Sequence, residues 1–227
     1  SRTLVLGNKA TRHFPLINET RLWYNLNLES QRYMIPGLIG LLATVITMFL
    51  TSMGLVREKE IGTLEQLMVT PIRPLELIVG KVLPFLIIGL VEINIMLAVA
   101  FLVFDLTLAG SYPLLLAVSV LYFLSSMGLG IFISTLAETQ QQAMFLSWFF
   151  MIFLILMSGF LTPIANMPAA WQKATHLNPM RYYVNLLREI FLKGTPLEFL
   201  WNEIIPLAIF GLLIIVASAM KFQKRVS

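Results

Sequence analysis

Glu92 and Asn94 stand near the middle of residues 82–104, an otherwise apolar run with no other charge. A carboxylate at the centre of a bilayer costs roughly 2.5–3.5 kcal/mol on insertion scales, so an intramembrane acid is a functional candidate by default. Two roles are open to Glu92: a hydrogen-bonded contact with a neighbouring helix, or a proton or cationic-substrate site. A second group of ionisable residues, Arg57, Glu58, Lys59, Glu60, Glu65, Arg73 and Lys81, crowds the segment just before that run. A third, Arg181, Arg188 and Glu189, lies among Pro163, Pro168, Asn178 and Pro179. It suits either headgroup anchoring or an external gate. Covalent and hydrolytic chemistry find no support. The chain has no cysteine, His13 and His176 stand alone, and no HExxH, nucleophile elbow or pair of carboxylates in a soluble pocket can be read. Gly80-Lys81-Val82 lacks the upstream glycine and the following Ser/Thr of a phosphate loop.

The elements that must position these residues are membrane spans. Of 227 residues, 58% are hydrophobic and 12% charged, with a mean hydropathy of +0.82; soluble domains carry about 25% charge. The apolar runs reach the roughly 20 residues that cross a bilayer, and without the alternating polarity of a barrel they predict helices. The fold class is therefore an all-α polytopic membrane protein, with spans at about 34–56, 82–104, 114–136, 143–162 and 204–222. The formal charge of +4 is dispersed and gives no footprint for nucleic acid. Lys221, Lys224 and Arg225 favour a cytoplasmic C-terminus, which puts residues 1–33 outside. Charge counting alone does not fix the orientation: the segments then inside hold seven Lys/Arg and those outside nine.

Within the first span, Gly37, Gly40, Thr44, Thr47, Thr51 and Gly54 recur at steps of three and four, which makes one helix face small and hydroxylated. Such a face lets backbones approach in lipid. It reads as a packing seam or, with Thr44, Thr47 and Thr51, as the lining of a pathway. Ser119, Ser126, Gly130 and Ser134 repeat the device in the third span, and the fourth is rich in Phe and Met. Between the first two spans, Thr63-Leu64-Glu65-Gln66 has the capping-box pattern and Pro71 stops what it starts, giving a stub helix too short to stand without a docking surface. After the fourth, Pro163 and Pro168 punctuate the exit, Asn178-Pro179 marks a turn, and residues 180–192 carry apolar residues at helical spacing. Trp171, Tyr182 and Tyr183 suit an interfacial belt.

Two strings resemble signatures of the ABC-2 type transport permeases. The first is Glu58, Glu60, Gly62, Thr63, Glu65, Leu67, Thr70, Pro71, Gly80 and Lys81; the second runs from Ser158-Gly-Phe-Leu-Thr-Pro through His176-Leu-Asn-Pro-Met-Arg-Tyr-Tyr183 to Leu187-Arg-Glu-Ile-Phe191. The resemblance implies that residues 57–81 hold a cytoplasmic coupling helix seated in an ATPase, with Glu58, Glu60, Gly62, Thr63, Glu65, Leu67, Thr70 and Pro71 as the ATPase-coupling residues. It implies that residues 163–203 form a re-entrant, extracytoplasmic helical hairpin, with Pro163, Pro168, Asn178, Pro179, Arg181, Arg188 and Glu189 as outer-gate candidates. Thr44, Thr47, Thr51, Glu92 and Asn94 are the pathway candidates.

The family implies further a bacterial inner-membrane subunit of a multidrug-like exporter that binds no cofactor itself. ATP and Mg would be held by a partner ABC ATPase, and a second permease subunit would complete a homo- or heterodimer. The family pattern has six spans. This chain opens on Ser1 with residues 1–33 resembling the end of an external domain, so an N-terminally truncated, five-span piece is expected. Two rivals are an ion-coupled secondary transporter working through Glu92 and a non-transporting ABC signalling subunit.

Overall fold

The computed structural model describes residues 30–62 and 74–224. Among them every regular element is helical. The long helices are α1 (Ser30–Ile61), α2 (Pro74–Phe104), α3 (Tyr112–Leu136), α4 (Gln140–Leu156) and α7 (Trp201–Lys224). Between the last two lie the short helices α5 (Ala169–Ala174) and α6 (Pro179–Arg188), a π-helical turn (Glu189–Lys193) and three 3-10 turns. Residues 63–73, which hold the expected stub helix with Thr63, Glu65, Leu67, Thr70 and Pro71, lie outside the described residues, as do residues 1–29.

Four helices, α1, α2, α3 and α7, are long and apolar enough to cross a membrane. The fourth expected span differs. Its helix starts three residues early and stops six early, leaving 17 residues, or about 26 Å. Thr139 sets the start by accepting from the Gln142 amide at 3.3 Å, while the Gln142 side chain accepts from the Glu138 amide at 2.9 Å. That is a capping box displaced by one residue. At the other end Ser158 Oγ donates to the Ile155 carbonyl and accepts from the Phe160 amide, and Gly159 takes a left-handed φ of 77° that turns the chain back. The first span, expected to end near residue 56, instead continues through the charged Arg57–Glu60 as one helix, stopped by Gly62 at φ 81°.

α3 is the hub of the bundle. Against α1 it places Gly130, where a Cβ would sit 2.8 Å from the Met48 carbonyl oxygen and 2.9 Å from Thr51 Cβ. Against α7 it places Gly128, packed on Ile214 and Ile215, while Gly211 of α7 lies over Ser125. Hydroxyls bridge the same seams: Ser218 donates to the Gly128 carbonyl at 3.0 Å and Ser125 to the Leu207 carbonyl at 3.4 Å. Small residues thus bring backbones together where hydrocarbon gives apolar side chains no reason to pair.

Candidate functional site

The polar centre of the bundle grows from the α1 stripe. Thr44, Thr47 and Thr51 are fully buried, and each donates to the carbonyl four residues back. Two also cross to α3: Thr47 Oγ1 reaches Ser126 Oγ at 2.8 Å, and Thr44 shares a hydrogen bond with the Tyr122 hydroxyl. One turn inward, Ser52 meets Ser147 of α4 at 2.8 Å. The structure therefore brings the three pathway candidates together, inside the seam between α1 and α3 of one subunit.

α6 penetrates this centre. Tyr183 stacks flat on Tyr122, ring centroids 4.0 Å apart and 8° between planes, and its hydroxyl lies 2.9 Å from Ser119 Oγ. Ser119 and Tyr122 are seven and ten residues into α3, so the segment carrying α6 reaches about 10–15 Å along the bundle. Tyr183 is thus buried rather than interfacial, since its hydroxyl finds a partner inside; the Tyr182 ring is buried but its hydroxyl donates to the carbonyl of the exposed His176, and Trp171 remains half exposed.

Glu92 points toward the same centre. One turn before it, Gly89 packs on Thr47 and Phe123, and Ile93 beside it is fully covered. Glu92 itself is 8% exposed, and neither carboxylate oxygen has a hydrogen-bond partner. Asn94 faces the other way, exposed on α2, where it donates to the Leu90 carbonyl at 2.7 Å and accepts from the Tyr112 hydroxyl. The two polar residues of this run do not share a site.

At the end of the bundle where α1 stops, its last turn grips the turn joining α3 to α4. Lys59 Nζ donates to the Ala137 carbonyl at 2.8 Å; Gln140 donates to Glu60 Oε2 through its side chain at 2.8 Å and its amide at 3.4 Å. Beneath them Val56, Ala137 and Ala143 are completely buried. Glu58 is half-buried beside this grip, and Gly62 ends the helix. Of the coupling candidates described, Glu60 is engaged within the chain, on a residue that sequence reading did not single out.

At the opposite end, Asn178 caps α6 through the Met180 amide (2.9 Å) and donates from Nδ2 to the Leu154 carbonyl of α4 (2.7 Å), with Pro179 in the first turn. Arg181 donates to Thr175 Oγ1 and lies near Tyr182 and Glu203. Arg188 stacks on the Tyr33 ring, 3.8 Å from its centroid, and donates to the Gly159 carbonyl at 3.4 Å; burial pulls its pKa down. Glu189 pairs with Lys193 and accepts from Thr195 Oγ1 at 2.8 Å. Pro163 and Pro168 are exposed and precede a 3-10 turn and α5. Asn178, Pro179, Arg181 and Arg188 thus converge on the α6 docking surface, whereas Glu189 closes its own turn and the two prolines stay at the rim.

Residues 16–192 match the model of the ABC-2 type transporter family. The chain belongs to that family. It is 36% identical over 206 residues to the probable multidrug ABC transporter permease YbhR of Escherichia coli, covering 91% of this chain and 56% of the relative. It is 34% identical over 212 residues to the probable multidrug ABC transporter permease YbhS, covering 92% and 54%. More distantly, it is 27% identical over 175 residues to ABC transporter G family member 20 of Dictyostelium discoideum, covering 77% and 24%. The chain spans about half the length of its bacterial relatives.

In this ABC-2 domain the residues that sequence reading missed are the connectors: Gln140, Tyr122 and Ser147. The spacing of Thr139 and Gln142 is a capping signal and marks where α4 begins. Nothing local marks Tyr122 as the partner of Tyr183, 61 residues on.

Proposed function

We propose that this chain supplies the membrane-spanning part of an ATP-driven exporter of the bacterial inner membrane, paired with a second permease subunit and powered by a separate ABC ATPase that holds ATP and Mg. The observation that carries the reading is the family match over residues 16–192. The names of YbhR and YbhS point to drugs or other amphipathic molecules as cargo. Geometry is compatible with alternating access: a hydroxyl-lined core under an outer segment that plugs it, and an inner end that carries the coupling loop. The reading places that loop, residues 57–81, and the C-terminus in the cytoplasm, with Lys59 and Lys221 at the same end of the bundle.

The test is co-purification of the full-length protein from its host, followed by ATPase and ethidium-efflux assays in liposomes. An ABC ATPase in the preparation, with hydrolysis raised by ethidium, supports the reading. Transport without any ATPase defeats it. One observation favours ion-coupled transport as a second reading, namely the buried Glu92 carboxylate with no hydrogen-bond partner. The energy source separates the two: an ATP-driven exporter stops when ATP is withheld and continues when the ion gradient is collapsed, whereas an ion-coupled carrier does the reverse.

A further inference from the structure

α4 is held at its two ends by side chains from other elements, and the two attachments differ from ordinary packing in being directed at helix termini. A helix leaves its first amides and last carbonyls without partners, with partial positive charge at the start and negative at the end. At the inner end, adjacent residues of α1 answer both signs. Lys59 places a cation on the Ala137 carbonyl that follows α3, and Glu60 places an anion on the first amide of α4 while also holding the Gln140 side chain. At the outer end the Leu154 carbonyl, in the last turn of α4, accepts from Asn178 Nδ2, whose Oδ1 simultaneously caps α6. One 17-residue helix therefore joins the inner end of α1 to the start of α6, in parallel with the direct packing of Gly40 of α1 on Tyr183, Val184 and Leu187 of α6.

One side of α4, with Phe145, Phe149 and Ile152, is exposed; the other meets α1 through Ala143, Ser147, Met151 and Trp148, which lies edge-on to Phe49, and meets α3 through Phe150, edge-on to Phe132. Its polar links are concentrated near the two ends, apart from the Ser52–Ser147 contact.

We propose that α4 is a strut: the Lys59–Glu60 grip and the Asn178 pin make displacement of the inner end of α1 appear at α6, and so at the outer segment that fills the polar core. Glu60, Gln140 and Asn178 are positioning residues in this scheme. The inference rests on the exporter reading, because it supplies the route by which an inner motor moves an outer plug. It also revises the role of Glu60 from a contact with the ATPase to an internal fastening.

The experiment uses the full-length protein with its ATPase in liposomes and a spin label at Leu177→Cys, an exposed position just before Asn178. The readout is the change in the label's spectrum on adding ATP and vanadate, measured beside ATPase co-purification. Gln140→Pro, at a first helical position that tolerates proline, removes both the side-chain and the amide bond to Glu60, while the Lys59 bond to Ala137 remains. Asn178→Ser keeps an uncharged capping oxygen and is too short to reach the Leu154 carbonyl. The expected result is that each variant still co-purifies with the ATPase and hydrolyses ATP but shows the nucleotide-dependent change reduced at least threefold. The double variant should be no worse than either alone, as for two breaks in one linkage.

A rescue control exchanges the pair, Glu60→Gln with Gln140→Glu, which restores a side-chain hydrogen bond with donor and acceptor reversed and adds no further thiol. The exchanged pair should respond more strongly than Gln140→Pro. Variants that respond like the unmodified protein, reductions that add, or an exchanged pair that responds no better than Gln140→Pro would each overturn the strut while leaving the exporter reading intact. Failure of the unmodified protein to bind an ATPase would instead overturn that reading.

Discussion

α2 and α3 are both apolar enough to span a membrane, yet 67% of the spanning window of α3 is buried and only 22% of that of α2. The more apolar helix is the more exposed one. In water that order would be reversed, since burial follows hydrophobicity. In lipid the surroundings are as apolar as leucine, and what selects the interior is the ability to approach closely and to bond. α3 offers Ser119, Ser126, Gly128 and Gly130 to its neighbours, whereas α2 turns Leu83, Ile87, Val91 and Ile95 outward and keeps Gly89 for the one place where it meets Thr47 and Phe123.

Substitutions in the two helices should separate accordingly. The largest effect is expected at Gly130→Leu, where a side chain must displace the backbone of α1 at Met48. Loss of the monodisperse species on size exclusion, or destabilisation of about 1–3 kcal/mol or more, is the expected outcome. An unchanged melting temperature would break the comparison at its strongest point. Next is Tyr183→Leu, which removes both the stack on Tyr122 and the Ser119 bond. It should cost more than Tyr183→Phe, which removes only the hydroxyl and is expected to cost about 0.5–1.5 kcal/mol in thermal unfolding.

A double-mutant cycle of Thr47→Val and Ser126→Ala sharpens the account further. It should return a coupling of about 0.6 kcal/mol, within the range found for interhelical bonds in membranes. Additive effects would mean that the hydroxyls serve only their own helices. The smallest change is expected at Ile95→Leu on α2, about 58% exposed, where stability should stay within roughly 0.5 kcal/mol. A large loss there would place a protein partner against that face of α2.

Much of this contrast is legible in the sequence. The three-and-four spacing of Gly37 to Gly54 marks one face of α1, and Ser119, Ser126 and Gly130 mark its counterpart on α3, because helical periodicity converts spacing directly into facing. Asn178-Pro179 announces the start of α6 for the same local reason. The boundaries of α4 were less accessible: an apolar run from Ala143 to Thr162 continues past the place where Ser158 and Gly159 turn the chain. The destination of the charged residues was not legible either. Glu60 looks like a loop acid and proves to end a helix and fasten Gln140, 80 residues away; Tyr183 looks like an interfacial tyrosine and lies in the core.

Composition and a period of 3.6 suffice to make the chain a set of membrane-length helices and to say which faces carry small and hydroxyl residues, and two strings of residues carry the resemblance to the ABC-2 family. Packing in three dimensions selects which hydroxyl meets which, brings α6 to Tyr122, and fastens α4 at both ends. Those pairings join residues 24 to 80 positions apart, and a stripe of serines or a lone glutamate carries no record of its partner until close packing selects one arrangement.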